Sequence, residues 1–130
     1  MPGHIYIAPA NYHLLVDRGA FELSVDEKVL LARPSIDVLF ESVADFHGSG
    51  VIAVVLTGAS ADGARGAARI KRRGGFLIVQ DPSTAECRIM PDAALTAAPA
   101  DEVVPLEGIA EILIRLSSTA LEPDKETANE

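Results

Sequence analysis

The fold is decided by the stretch Val51-Ile52-Ala53-Val54-Val55-Leu56-Thr57 and by the loop Gly58-Ala59-Ser60-Ala61-Asp62-Gly63 that follows it. The first segment is apolar and rich in β-branched residues, which predicts a strand buried on both faces of a sheet. A helical pattern begins directly after the loop, at Ala64. Ligands and catalytic groups in open α/β sheets collect at the carboxyl ends of such strands. Asp62 is therefore the first candidate for chemistry, and its carboxylate is expected to face an open groove.

Further strands and helices alternate on the carboxyl side of this strand. Phe76-Leu77-Ile78-Val79-Gln80 predicts a second buried strand, and residues 102–106 predict a third. Helices are predicted at residues 64–73, 90–98 and 108–117. Strands that alternate with helices pair in parallel through right-handed crossovers. The predicted fold class is therefore α/β, with a doubly wound, mostly parallel sheet.

The pattern upstream of the strand is different. Residues 5–9 predict a short strand, and residues 13–16 and 21–25 predict an antiparallel hairpin around Asp17-Arg18-Gly19-Ala20. Ser35 is a favourable N-cap for a helix that begins at Ile36 and is stopped by Gly48. A doubly wound sheet usually begins with a hydrophobic strand and a crossover helix, whereas this chain opens on Met1-Pro2-Gly3. The chain is therefore expected to begin partway through its fold and to lack the first strands.

The length, charge and cysteine content of the chain limit the kinds of function that it can have. The chain has 130 residues, typical of one domain, and 19 acidic against 11 basic residues give it a net charge of -8. Such a charge disfavours nucleic-acid and membrane-surface binding, and no apolar run reaches the roughly 18 residues of a membrane span. The single cysteine, Cys87, excludes an internal disulfide and fits a reducing cytoplasm. Residues 118–130 are polar and acidic and predict a disordered tail.

The loop at residues 58–63 allows several interpretations from its residues alone. Ser60 could be the nucleophile of a strand-to-helix elbow, although Asp62 occupies the place of the elbow's last glycine. The loop could bind phosphate, although its glycine spacing fits neither common phosphate motif. Asp62 could orient a catalytic histidine, or it could simply cap the helix that follows. The three histidines, His4, His13 and His47, are scattered, and none is marked as a partner of Asp62.

Several segments, taken together and in order, resemble the chemotaxis receptor methylesterase family (CheB, protein-glutamate methylesterase/deamidase). The start of the chain resembles the family's hairpin region, and Arg33-Pro34-Ser35-Ile36-Asp37-Val38-Leu39-Phe40 resembles its R-P-S-x-D-x-L-F signature. Leu56 to Ala64 resembles its L-T-G-x-x-x-D-G-A motif. Later matches are Val79-Gln80-Asp81 and Met90-Pro91-Asp92-Ala93-Ala94. The resemblance spans roughly residues 2–117 and agrees with the α/β fold class.

The resemblance implies hydrolysis of glutamyl methyl esters on chemoreceptors, with glutamine deamidation in some members, by a Ser-His-Asp triad. It implies that Asp62 is the triad acid and that the backbone of Ala59 lies near the oxyanion site. It places Arg33 and the loop at Met90 near a substrate groove. The chemistry requires no metal or organic cofactor. The implied partners are the cytoplasmic domains of methyl-accepting chemoreceptors or related signalling proteins, and the implied location is the cytoplasm.

One departure from the family limits these expectations. The serine and the histidine of the family lie upstream of the segment that matches Pro2-Gly3, so residues 1–117 resemble a partial methylesterase domain. The chain is therefore expected to be inactive alone and to self-associate through uncovered apolar surface. Two other functions remain open: a receptor-binding module without catalysis, and a phosphate- or nucleotide-binding α/β domain.

Overall fold

The computed structural model describes residues 3–121, with side chains described as far as residue 118. From residue 13 onward its strands and helices follow the order expected from the sequence. In chain order they are β1 (His13–Asp17), β2 (Ala20–Ser24), α1 (Ile36–His47), β3 (Ile52–Val55), α2 (Ala64–Arg72), β4 (Phe76–Gln80), α3 (Ile89–Ala97), β5 (Glu102–Val104) and α4 (Leu106–Leu121). Short 3₁₀ turns lie at Gly48–Gly50 and Pro82–Thr84.

The main sheet has the strand order β3-β4-β5, and both pairings are parallel. Side chains on β4 alternate between its two faces, so Leu77 and Val79 join a core with α1, α2 and α3. Ile78 points to the other face and packs with Ile109 and Ile112 of α4. Helices therefore cover both faces of the sheet, which confirms the predicted doubly wound α/β class.

The predicted hairpin is also present, as a separate antiparallel pair of β1 and β2. Arg18 and Gly19 form its two-residue turn, and both have positive φ, at 53° and 76°. That backbone matches the twist of paired strands and favours glycine at the second position. Val16 N donates to Ser42 Oγ at 2.9 Å, which ties the hairpin to α1.

Three expectations need correction. The strand predicted at residues 5–9 is wrong: among the described residues no strand pairs with this segment, and alternation without a pairing partner does not make a strand. The strand predicted at 51–57 is shorter, and Ile52 and Leu56 remain partly exposed, so burial on both faces fails at its ends. Helix α4 continues through residues 118–121, where a disordered tail was expected. The rest of that predicted tail, residues 122–130, lies outside the described residues.

Candidate active site at the end of strand β3

Asp62 lies in the loop that joins the carboxyl end of β3 to α2, as expected for a functional residue of this fold. The start of this loop is anchored to the next strand, because Thr57 N donates to Gln80 Oε1 at 3.0 Å. Asp62 as a whole residue is only 3% exposed. The expectation that its carboxylate faces an open groove is therefore wrong for the described residues.

Burial of Asp62 follows from its contacts with the start of α1. Its Oδ1 accepts from Ser35 Oγ at 2.8 Å and from Asp37 N at 3.0 Å, and its Oδ2 accepts from Ile36 N at 2.7 Å. The first amides of a helix lack partners within the helix and carry partial positive charge, so they attract a carboxylate. Asp62 thus caps the preceding helix α1, and it does not cap α2, the helix that follows it.

A second buried carboxylate, Asp37, completes the arrangement. It lies in the first turn of α1 and is 2% exposed, yet its Oδ1 accepts from Gly63 N at 3.0 Å and Gly66 N at 2.7 Å. These amides belong to the start of α2, so each carboxylate caps the other's helix. This role of Asp37 cannot be recognised from the sequence, because an acid in a first turn is already explained by the dipole of its own helix.

The two carboxylates differ in their electrostatic setting. Burial raises the pKa of the Asp37 carboxyl above its usual value, against the hydrogen bond from Gly66 N, and the nearby charge of Asp62 raises it further. Asp62 receives three donors, one of them a hydroxyl and two of them amides. A carboxylate offers about four lone-pair directions. One direction, on Oδ2, is therefore left for a further donor.

The alternative uses of the loop fit the geometry less well. Ser60 Oγ accepts a hydrogen bond from Asp62 N at 3.2 Å, which is a turn-stabilising contact within the loop. A phosphate site would need the amides at the start of α2. Those of Gly63 and Gly66 are already engaged by the Asp37 carboxylate. A buried anion in that place opposes the binding of a second anion.

Of the three residues placed near the oxyanion site or the substrate groove, Ala59 and Met90 meet at this end of the sheet. Met90 N donates to Gly58 O at 3.0 Å, and the Met90 side chain covers Gly58 so closely that a Cβ there would come within 2.5 Å of its Cε. Ala59, the next residue, is exposed. The Met90 loop and the Ala59 backbone are thus neighbours. Their assignment to an oxyanion site and a groove stays a prediction.

The third residue, Arg33, is engaged within the chain. Its Nη1 donates to the carbonyl oxygens of Val25 and Asp26 at 3.0 and 3.2 Å, and its Nη2 donates to Asn11 Oδ1 at 3.0 Å. These contacts brace the loops on either side of the hairpin. Its Nε is buried and has no hydrogen-bond partner among the described residues. A substrate contact by Arg33 stays a prediction.

His13 supports the site indirectly. It is buried, its Nε2 donates to the carbonyl of Glu27 at 2.9 Å, and its Nδ1 accepts from Ser35 N at 3.2 Å. These partners require a neutral ring with its hydrogen on Nε2. His13 therefore fixes the backbone of Ser35, whose hydroxyl contacts Asp62.

Within residues 3–118 no group of three or more His, Cys, Asp or Glu side chains is arranged to hold a metal ion. No described helix is both long and apolar enough to cross a membrane.

The fold and the site together define an α/β domain with a buried acid held at the carboxyl end of a parallel strand. The sequence profile of the CheB methylesterase family matches residues 1–113. The chain therefore belongs to the CheB methylesterase family.

Individual relatives agree with this assignment. A Leptospira interrogans protein, provisionally named protein-glutamate methylesterase/protein-glutamine glutaminase, is 49% identical over 121 residues, which cover 92% of this chain and 63% of that protein. A Rhodospirillum rubrum protein of the same name is 38% identical over 119 residues, covering 88% of this chain and 33% of its own length. The crystal structure of the Thermotoga maritima CheB methylesterase catalytic domain matches with a TM-score of 0.80 at 36% identity, covering 85% of this chain and 61% of that domain. The chain thus spans less than two thirds of each of these relatives.

Proposed function

We propose that this chain forms part of a protein-glutamate methylesterase catalytic domain and supplies its triad acid, Asp62. The observation that carries the proposal is the Asp62 carboxylate, buried at the carboxyl end of β3 and held by three donors with one lone pair left over. Triad acids are buried, hydrogen-bonded carboxylates that accept one N–H from the catalytic imidazole. Membership in the CheB methylesterase family supports the same role.

In the proposed reaction a serine and a histidine come from the rest of the catalytic domain. The histidine takes the serine proton while the serine oxygen attacks the carbonyl of a glutamyl methyl ester. The imidazolium then protonates the departing methoxide, so that methanol leaves, and water hydrolyses the acyl-enzyme to restore serine and a glutamate carboxylate. Asp62 holds the imidazole in one tautomer and stabilises its positive charge. Deamidation of glutamine follows the same steps with ammonia as the leaving group.

The proposed substrates are glutamyl methyl esters on the cytoplasmic domains of chemoreceptors or related signalling proteins, which places the activity in the cytoplasm. The loops at Ala59 and Met90 lie beside each other at the carboxyl end of β3. The backbone N–H of Ala59 is the proposed oxyanion donor, and Met90 and Arg33 are proposed to line the approach of the receptor segment. The proposal calls for no metal and no organic cofactor.

A chimera tests the proposal directly. This chain replaces the matching part of the Thermotoga maritima catalytic domain, and methanol release from a methylated receptor domain is measured. We expect turnover, and we expect Asp62→Asn to lower kcat by about 10⁴-fold, as for other triad acids. The matched control is Asp45→Asn, which alters an aspartate whose partners are the surface residues Arg69 and Arg73.

Three outcomes count against the proposal. A cooperatively folded chimera without activity, beside an active parent domain, would mean that this chain does not support the reaction. An Asp62→Asn chimera that is as active as the Asp45→Asn control would mean that Asp62 only caps a helix. Receptor binding that survives in both without any turnover would favour a receptor-binding module.

A further inference from the structure

Asp37 touches Asp62 in two separate ways. Its backbone N donates to Asp62 Oδ1 at 3.0 Å, and its side-chain Oδ1 accepts from the N–H of Gly63, the residue after Asp62, at 3.0 Å. The same oxygen accepts from Gly66 N at 2.7 Å. Asp37 thus contacts the carboxylate of Asp62 through its backbone, and its side chain independently contacts the peptide group that joins Asp62 to Gly63.

The backbone turn at Gly63 depends on the hydrogen bonds that the Asp37 carboxylate accepts. Gly63 has a φ of 103°, a region that side chains rarely adopt, and it forms the turn between Asp62 and α2. Side-chain capping of α2 does not come from its own N-cap residue, because Gly63 has no side chain. The Asp37 carboxylate therefore replaces the missing cap from across the interface between the two helices.

Simple capping does not require this arrangement. A serine, threonine or asparagine would satisfy free amides without placing a second carboxylate beside a buried one. Two neighbouring buried carboxylates repel each other, and the charge of Asp62 disfavours ionisation of Asp37. The arrangement in which each carboxylate caps the other's helix therefore carries an electrostatic cost. In return, it fixes the direction of both carboxylate oxygens of Asp62.

We propose that Asp37 is a positioning residue for Asp62: through Gly63, Gly66 and its own backbone N–H it directs the open lone pair of Asp62 Oδ2 toward the catalytic imidazole. This inference rests on the proposed function of Asp62 as triad acid. Catalysis is sensitive to such geometry, since a misplacement of about 1 Å can cost about 10²-fold in rate.

The first test uses the full 130-residue chain and needs no activity. Amide proton shifts and hydrogen exchange are measured by NMR for the wild type, Asp37→Ala, Asp37→Asn and the control Asp45→Ala. We expect Asp37→Ala to expose the amides of Gly63 and Gly66 and also to shift the ¹³C resonance of the Asp62 carboxyl carbon, recorded on the same samples, because that resonance reports directly on the contacts of the carboxylate. Asp37→Asn keeps an oxygen acceptor and should restore the wild-type pattern. Changes confined to Gly63 and Gly66 would overturn the proposal, because Asp37 would then be only a cap.

The second test measures kcat and KM of the same variants in the Thermotoga maritima chimera. We expect Asp37→Ala to lower kcat by about 10²-fold with KM little changed, and Asp37→Asn to recover most of that loss. Asp37→Ser is made alongside in case alanine prevents folding, since its shorter hydroxyl can satisfy one amide and should give an intermediate kcat. Equal kcat values for Asp37→Ala, Asp37→Ser and Asp45→Ala, with Asp62→Asn inactive, would overturn positioning and leave the proposed function intact. An active Asp62→Asn would overturn the proposed function itself.

Discussion

Asp37 and Asp62 exchange their capping roles: Asp62 accepts from the first amides of α1, where Asp37 lies, and Asp37 accepts from the first amides of α2, which follows Asp62. The exchange places two nearly inaccessible carboxylates at one helix–helix contact. Burial of Asp37 beside the charge of Asp62 makes the stability of this contact sensitive to pH.

The raised pKa of Asp37 predicts the direction of that sensitivity. Between its unfolded-state pKa, near the usual 3.8, and its raised folded-state value, the folded chain binds the proton more tightly. The unfolding free energy of the wild type relative to Asp37→Asn should therefore be highest at low pH, fall as pH rises through this window, and level off above it. Urea unfolding of both proteins across the window measures the difference. A difference that grows with pH would contradict the assignment.

Asp101 should show the opposite sign. Burial alone would raise the pKa of Asp101, but hydrogen bonds from Lys71 Nζ at 2.8 Å and Leu77 N at 2.7 Å hold it below its usual value. The stabilisation is then present above the unfolded-state pKa and is lost as pH falls through the folded-state pKa.

We therefore expect Asp101→Asn to lower the unfolding free energy by about 1 kcal/mol near neutral pH, a modest value because the pair is partly solvated. The loss should vanish in acid. Asp92→Asn, which removes a surface ion pair with Arg88, is the control and should change stability less. A loss for Asp101→Asn that persists unchanged in acid would show that charge is not the cause.

Gly66 sets how closely α1 and α2 approach. A Cβ at this position would lie 2.5 Å from Phe40 Cβ and 3.2 Å from Asp37 Cα. We expect Gly66→Ala to cost about 1–3 kcal/mol through overpacking, measured by chemical unfolding. Gly50→Ala is the matched control, because a Cβ there meets nothing within 4 Å. Equal stability of the two variants would mean that the helices can separate without cost.

The chain by itself should show no esterase activity. The proposed reaction needs a serine and a histidine from the rest of the catalytic domain, and Ser60 Oγ is engaged by Asp62 N within its own loop. The assay uses a methylated receptor domain and an activated ester, with the Thermotoga maritima domain as positive control. Turnover that disappears in Ser60→Ala would identify Ser60 as the nucleophile and contradict the triad assignment.

Exposed apolar side chains near the start of the chain should promote self-association. Ile5, Ile7 and Leu31 are 93%, 87% and 91% exposed. We expect the double substitution Ile5→Ser, Ile7→Ser to reduce both dye binding and the mass measured by light scattering. Ile114→Ser, which changes one exposed residue of α4, is the control and should have a smaller effect. A wild-type chain that stays monomeric at high concentration would contradict this expectation.

The sequence by itself determined the fold class and the order of the elements from residue 13 onward, and it singled out Asp62 as a candidate. Buried parallel strands such as Phe76–Gln80 carry a continuous apolar run, and Ser35 and Gly48 mark the ends of α1 by local backbone chemistry. These signals act between residues that are neighbours in the chain, so they can be recognised without knowing what packs where. The family motifs are likewise written in consecutive residues.

Only the tertiary structure decided what the carboxylates do. Asp62 was expected either to cap α2 or to face a groove, and it instead caps α1, 25 to 27 residues away in sequence. Asp37 was not singled out, because its partners Gly63 and Gly66 lie beyond any local pattern. The strand prediction at residues 5–9 was wrong for a related reason, because strand pairing depends on a partner elsewhere in the fold. Contacts between elements depend on how helices and strands pack against each other. A hydrogen bond between two elements does not produce a periodic pattern in the sequence, so it cannot be predicted from such a pattern.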